Sequence, residues 1–404
     1  METAMARKSV GRSALILVAV SLFLCFPAFG DYAQSRVITL VFPFGARSDA
    51  MGEVGTALAD DESVLFFNPA GLDVPNERWR GGAGSFFYEP LLPAFGLKEL
   101  WHLSIAANIQ DTSLTWGQFG MFVNHINMGV NEWTDDLGRT IGEGFSYETV
   151  VALGWGFDFK EIGIKNHYFG LTAKWFTSAL APGYQGNGVA NSLAFDLGYL
   201  WTIGKHFRFG ATLMNMGPAV YYVDASESDP IPFTLNLAVA YKNTFFIEDA
   251  LPFTVAGELR LDREITKEYS DRRPDPFYKA LWTDFLHNTS ESASTQVQRI
   301  NEHLGGEITF LNTVSLRNGF LIDIIGARYE YHVGLGIQIL NHFSLDLGDI
   351  YSPEGYMKNF SRFLAGPGQT GATGARWGQW QISLTAFSLL HWSDDDQYWW
   401  RAKR

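Results

Sequence analysis

Fourteen stretches of this chain alternate apolar and polar residues with a period of two, the pattern of strands with one greasy and one wet face. In FTLNLAVAYK, Phe233, Leu235, Leu237, Val239 and Tyr241 share one face, and Thr234, Asn236, Ala238, Ala240 and Lys242 share the other. SLAFDLGYLW, FTVAGELRLD, RYEYHVGLGIQI and WGQWQISLTAF repeat the pattern. The stretches begin near positions 80, 101, 114, 145, 166, 190, 206, 233, 251, 300, 314, 327, 342 and 377. An even number of antiparallel strands closes into a transmembrane barrel. The connections alternate in length. Brief ones fall around Asp111-Thr112, Gly204-Lys205, Asn312-Thr313 and Asn341-His342, and long ones span about 125–144, 217–232, 264–299 and 352–376. Short periplasmic turns opposite long outer loops produce that asymmetry.

Composition agrees with an about 14-stranded antiparallel transmembrane β-barrel. Gly 41, Phe 32, Trp 13 and Tyr 16 are high, while charged residues are only 18%, below the roughly 25% of ordinary domains. A net charge of −13 argues against nucleic acid as partner, because neutralising phosphates requires a basic face. The one long apolar run is SALILVAVSLFLCF, after Arg7, Lys8 and Arg12 and before Pro27. It reads as a signal peptide over 1–30. Cys25, the sole cysteine, follows Leu24 rather than the small residue that lipidation needs. The remainder divides into a plug segment at 31–78, a barrel at 79–390 and a periplasmic tail at 391–404.

Aromatic residues near segment ends, such as Trp155, Trp175, Tyr199 and Trp201, suit the two interfacial girdles. Asp196, Glu258, Arg260, Arg328, Glu330, His332 and Asp346 fall on polar faces and are expected to point into the lumen. A charge facing lipid at the midplane costs roughly 2–4 kcal/mol for Arg or Lys.

The segment before the first strand differs in texture: GARSDAMGEVGTALADDESVLFFNPAGLDVPNE. Gly45, Gly52 and Gly55 interleave with small residues, followed by Asp60-Asp61 and Asn68-Pro69-Ala70-Gly71. Too small-residued for a core of its own, it suits a compact plug inside a lumen, where glycine allows close approach and Asn-Pro marks a turn.

This segment resembles the N-terminal signature of FadL-like outer-membrane barrels and, more closely, of the PorV/PorQ branch associated with type IX secretion. GPAVYYVDASESDPIPFTLNLAVAY at 217–241 is similar to the PorV pattern. The resemblance implies a non-enzymatic barrel that binds the C-terminal domains of secreted clients and carries them from a type IX-like translocon to attachment proteins. Loop residues Tyr221, Tyr222, Phe277 and Trp282 would be the anchors, with outer-membrane lipid around the barrel. The wider FadL resemblance implies the alternative, a transporter of hydrophobic small molecules such as long-chain fatty acids. Glu53 departs from the family, which has glycine there, and is expected to loosen the plug's backbone packing. Phe277, Leu281, Trp282 and Phe285 stand at helical spacing in the 264–299 insertion.

The sequence offers no catalytic constellation. The nine histidines have no metal-ligand spacing, and GPGQTGATG at 366–374 lacks the lysine of a phosphate loop. No cofactor and no metal are expected.

Overall fold

The computed structural model describes residues 36–387 except 77–78, 80, 92–97, 112, 136, 184–187, 225–227, 249–250, 268–272, 289–290, 327, 340–341 and 352–377. The leader at 1–30, the tail at 391–404 and the glycine run at 366–374 lie outside the described residues.

Fourteen antiparallel strands form one closed barrel. They are β1 (Ala83–Pro90), β2 (Trp101–Ile109), β3 (Gln118–Thr134), β4 (Thr140–Asp158), β5 (His167–Ala179), β6 (Val189–Ile203), β7 (Phe207–Met216), β8 (Thr234–Ile247), β9 (Leu251–Glu264), β10 (Asn301–Phe310), β11 (Val314–Asp323), β12 (Arg328–Ile339), β13 (Phe343–Tyr351) and β14 (Gly378–Phe387). Each strand pairs with its sequence neighbours, and β1 closes on β14 from Ala83↔Phe387 to Tyr88↔Ile382.

The alternation decides which way each side chain points. Leu153 is 62% exposed on the outer face while Lys174 is 1% exposed on the inner one. Apolar outside and charged inside is the reverse of a water-soluble protein, and a bilayer is the solvent that stabilises it. No described helix is long and apolar enough to cross a membrane. The crossing is made by strands, and the protein is an outer-membrane β-barrel.

The two ends differ. One carries the connections 110–117, 159–166, 204–206, 248–250, 311–313 and 340–342, and the other includes 217–233, 265–300 and 352–377. The first is the periplasmic end by the short-turn rule.

The long connection expected at 125–144 is not a loop. β3 continues to Thr134 and β4 starts at Thr140, so the turn is only 135–139. Asp135 Oδ1 accepts from the backbone N–H groups of Leu137 and Arg139 at 3.0 and 2.9 Å and closes it. This hairpin extends past the apolar band into water. Both faces of its tip are wet there, so period-two alternation disappears although the ladder persists.

Residues 36–76 run through the lumen. They carry two short helical turns, Ala46–Ala50 and Val64–Phe67, and two 3-10 turns, Ile38–Leu40 and Pro69–Asp73. The apolar core lies between this segment and the wall, where Phe44, Phe66 and Leu65 meet Phe122, Ala152 and Phe176. Arg36 lies at the outer end, its N–H donating to the Pro230 carbonyl at 3.1 Å. Asn76 lies at the periplasmic end, its N–H donating to Gln110 Oε1 at 3.0 Å.

Candidate functional site

The luminal segment rests on two glycine seats. Gly156, Gly170 and Gly198 stand side by side in register on β4, β5 and β6. A Cβ at Gly170 would collide with the backbone of Pro69 and Ala70, one at Gly198 with Asn68, and one at Gly156 with Leu72. Asn68 fixes the turn that fills this seat. Its Nδ2 donates to the carbonyls of Thr56 at 2.8 Å and Tyr199 at 3.0 Å, and its Oδ1 accepts from the Ala70 N–H at 3.1 Å. Gly71 packs against Val64 and Ala59 with no room for a side chain. The second seat is Gly305, Gly319 and Gly334 on β10, β11 and β12, under Ala50, Met51 and Gly52. Gly52, at φ +76, meets the Phe320 backbone, and Gly55 meets the Phe67 ring. Gly45, at φ +107, enters the first helical turn in a backbone region that suits glycine.

Side chains from the wall then clamp the segment. Glu258 on β9 accepts from four consecutive backbone N–H groups, those of Gly55 (3.1 Å), Thr56 (2.8 Å), Ala57 (3.0 Å) and Leu58 (2.6 Å). Successive amides converging on a buried carboxylate form an anion nest turned inward. Glu148 on β4 accepts from the Thr39 N–H at 2.9 Å and hydroxyl at 2.8 Å. Ser383 accepts from the Ala46 N–H at 2.8 Å. His303 Nδ1 lies 2.7 Å from the Gly52 carbonyl, and its Nε2 lies 2.7 Å from Asp262, which also accepts from Arg260 at 2.8 Å.

A chain of ion pairs crosses the periplasmic half. Arg47 donates to Asp60 (2.7 Å), Asp61 (3.1 Å) and Glu307 (3.0 Å), and Arg317 bridges Glu307 and Asp346 at 2.6 Å each. Asp60 is held well below the usual carboxylate range: Lys242, Arg47 and Arg208 outweigh its burial. Its neighbour Glu62 has no such help. Burial pushes its carboxyl up to about 8, aided by repulsion from Asp61 and Asp346. The seated segment therefore binds a proton that the released one lacks between 4.5 and about 8. Seating is favoured in acid, weakens as pH rises through that window, and carries its full penalty above it. Glu62→Gln should change little in acid but favour the seated segment by a few kcal/mol in alkaline buffer, because each tenfold change in proton affinity corresponds to about 1.4 kcal/mol. Limited proteolysis of the segment in wild type and variant across the window checks this.

Elsewhere in the lumen, Asp196 pairs with Lys174 at 2.8 Å, and both are 1% exposed at the side chain. Arg328 reaches both Glu330 and Glu53 at 2.7 Å. Glu53 sits at φ +61, the left-handed region that glycine would occupy without strain. The departure does not leave the backbone loose, because the side chain is tied to the wall.

Among the loop candidates, Tyr221 is 52% and Trp282 56% exposed. Tyr222 and Phe277 are not free anchors. The Tyr222 hydroxyl lies 2.9 Å from that of Ser178, and Phe277 packs edge-on against Phe233 at 5.8 Å. The helical spacing forms a short turn, Phe277–Ala280, continued as a wider turn through Leu286. Phe277, Leu281 and Phe285 face the barrel rim.

The segment separates two luminal cavities. The periplasmic one, about 250 Å³, is lined by the Arg47 network together with Asn76, Thr254 and Gln338. The outer one, about 200 Å³, has two unlike walls. Leu40, Val41, Phe42, Pro43 and Phe66 of the segment, with Met214 and Leu321, form the apolar side. The other side holds Arg260 and Arg328 against Glu53, Asp262, Glu264 and Asp323. Among the described residues no three His, Cys, Asp or Glu side chains are placed to hold a metal ion.

The fold and this interior define an outer-membrane barrel whose lumen is occupied by its own N-terminal segment. No protein-family model matches the chain, and no curated protein matches it. Solved structures that resemble it include two toluene transporters and a FadL homologue. The toluene transporter TodX of Pseudomonas putida is 13% identical, over 85% of this chain and 96% of that one, with a TM-score of 0.45. The toluene transporter TbuX of Ralstonia pickettii is 11% identical, over 85% and 98%, with a TM-score of 0.42. A Pseudomonas aeruginosa FadL homologue is 11% identical, over 88% and 99%, with a TM-score of 0.42. At these identities the similarity is one of barrel architecture.

Sequence reasoning singles out Glu258 but misses Glu148, Arg47, Glu307 and His303. Glu148 and Glu307 sit at inward positions of their strands, and that alternation is the available signal. Arg47 has none, because its three acceptors come together only when the segment is inside the barrel.

Proposed function

We infer that this barrel passes small, uncharged hydrophobic molecules across the outer membrane, with the luminal segment as the gate. The observation that carries this reading is the outer cavity, whose apolar wall is built from the gate itself. A ligand that fills it touches Val41 and Phe42 and so acts directly on the element that must move. Its volume of about 200 Å³ is near the roughly 150 Å³ that accepts benzene in an engineered apolar cavity. Four carboxylates against two guanidiniums on the polar wall disfavour an anion. The size and charge favour a single-ring molecule over the long-chain fatty acid that the FadL resemblance implied. The two functions drawn from the sequence thus exchange rank.

Toluene is a suitable probe. Purified barrel should bind it by calorimetry, and Val41→Trp, which fills the cavity, should abolish the signal. Equal binding by wild type and variant would contradict the assignment.

Client shuttling keeps a specific observation in its favour. Tyr278, Trp282 and Leu286, at 68%, 56% and 56% exposure, form an apolar stripe on the outer connection while their neighbours pack inward. Exposed aromatic anchors of this kind dominate protein interfaces. Affinity purification from the native membrane tests it: translocon subunits, or secreted proteins sharing one C-terminal domain, would co-elute.

A further inference from the structure

Glu53 is a costly residue to place where it stands. Its φ of +61 follows Gly52 at +76, so two consecutive residues take the left-handed conformation and only the first is glycine. A residue with a side chain adopts that conformation against steric resistance, and such outliers gather at ligand sites. The backbone around it is pinned. The Glu53 N–H donates to the Ser48 carbonyl at 3.0 Å, and the Gly52 carbonyl lies 2.7 Å from His303 Nδ1. This fixes a carboxyl group of the luminal segment on the polar wall of the outer cavity, where Glu53 is only 8% exposed.

A pure hydrocarbon does not complete this cavity. Polar groups on its wall would lose water to the ligand and gain no partner from a methyl group. The hydrogen bonds show where capacity is left. Asp262 is committed at both oxygens, Oδ1 to Arg260 and His303 and Oδ2 to Asn301. Glu53 accepts from Arg328 through Oε1, at 2.7 Å, while Arg328 donates through Nη2 to Glu53 and through Nε to Glu330. Oε2 of Glu53 and Nη1 of Arg328 have no hydrogen-bond partner among the described residues. One ion pair on the cavity wall thus offers an acceptor beside a donor. That is the complement of a hydroxyl group, which both donates and accepts.

We propose that the outer cavity selects a single ring bearing a neutral hydroxyl group, a molecule of the phenol class, with Glu53 and Arg328 as the specificity-determining pair. This rests on the assignment of the cavity to a small uncharged molecule, and names its chemistry. The ring lies against Val41 and Phe42, and the hydroxyl donates to Glu53 and accepts from Arg328. Hydrogen bonds to charged groups are roughly twice as strong as neutral ones. A site built to bond a hydroxyl also rejects the analogue that lacks it, because its own buried groups are then left unpaired. Glu53 belongs to the luminal segment and Arg328 to β12, so the hydroxyl meets the ion pair that joins gate to wall.

Phenol and toluene test the pair, because they share shape and heavy-atom number and differ by a hydroxyl for a methyl group. Phenol is uncharged in neutral buffer, since a phenolic hydroxyl ionises only at about pH 10. Calorimetry on the purified barrel should give a dissociation constant for phenol roughly tenfold below that for toluene. Anisole, whose ether oxygen accepts but cannot donate, should bind no better than toluene, and this comparison needs no variant. In Glu53→Gly, a residue suited to the φ there, phenol should lose its advantage over toluene. Equal affinity of wild type for phenol and toluene, anisole matching phenol, or an undiminished preference in Glu53→Gly would overturn the proposal, with toluene binding still upholding the cavity. Binding of neither phenol nor toluene by wild type would overturn it together with the assignment of the cavity.

Discussion

Glu258→Ala should turn a closed barrel into a leaky one. The carboxylate satisfies four consecutive backbone N–H groups, from Gly55 to Leu58. Deleting it leaves four donors unpaired in a site where Glu258 itself is only 2% exposed. Hydrogen bonds to a charged group contribute about 1.5–3 kcal/mol each. Allowing for strong non-additivity, a loss of about 4 kcal/mol changes the ratio of seated to released segment by roughly a thousandfold. The barrel itself should survive, because β9 keeps its backbone ladders to β8 and β10. Proteoliposome swelling with small solutes is the readout. Glu258→Gln should be intermediate, since its amide oxygen can accept while its NH₂ group opposes the remaining donors.

Gly170→Leu should have an effect of similar size by a different route. The added Cβ would meet the backbone of Pro69 and Ala70, and backbone cannot rotate away as a side chain does. Overpacking of this kind costs typically 1–3 kcal/mol, and more where nothing yields. The turn Pro69–Asp73 should lift off its seat and expose Phe67 and Leu72, each 1% exposed when seated. Limited chymotrypsin digestion would then cleave at Phe67 or Leu72 in the variant but not in wild type. Gly306→Ala is the control, because its new Cβ meets only the Asn318 side chain, at 3.2 Å.

The barrel is legible in the sequence because its determinant is local. Alternation in β8, for example, sets Leu237 and Val239 outward and Asn236 and Ala238 inward whatever the neighbouring strands do. Legibility fails where alternation loses its physical cause, at the wet tip of the β3–β4 hairpin. Inside the lumen the facing of single residues can be read, as for Glu258 and Asp196, but not their partners. The Glu258 clamp pairs residues about 200 positions apart, and only the depth at which the segment sits fixes which amides meet it. Glu53 shows the same limit: without knowledge of Arg328 beside it, a non-glycine at a glycine position reads as a loss. Tyr222 and Phe277 are indistinguishable from Tyr221 and Trp282 by composition, and packing at the rim separates them.

On the proposed function, a small hydrophobic molecule in the outer cavity moves the luminal segment. The most direct measurement is single-channel conductance of the wild-type barrel with and without toluene, beside Val41→Trp. Toluene should raise the frequency of openings in wild type and leave the cavity-filled variant unaffected. Openings that ignore toluene in wild type, with Glu258→Ala conducting freely in the same bilayer, would show that the gate can open but that the cavity does not control it.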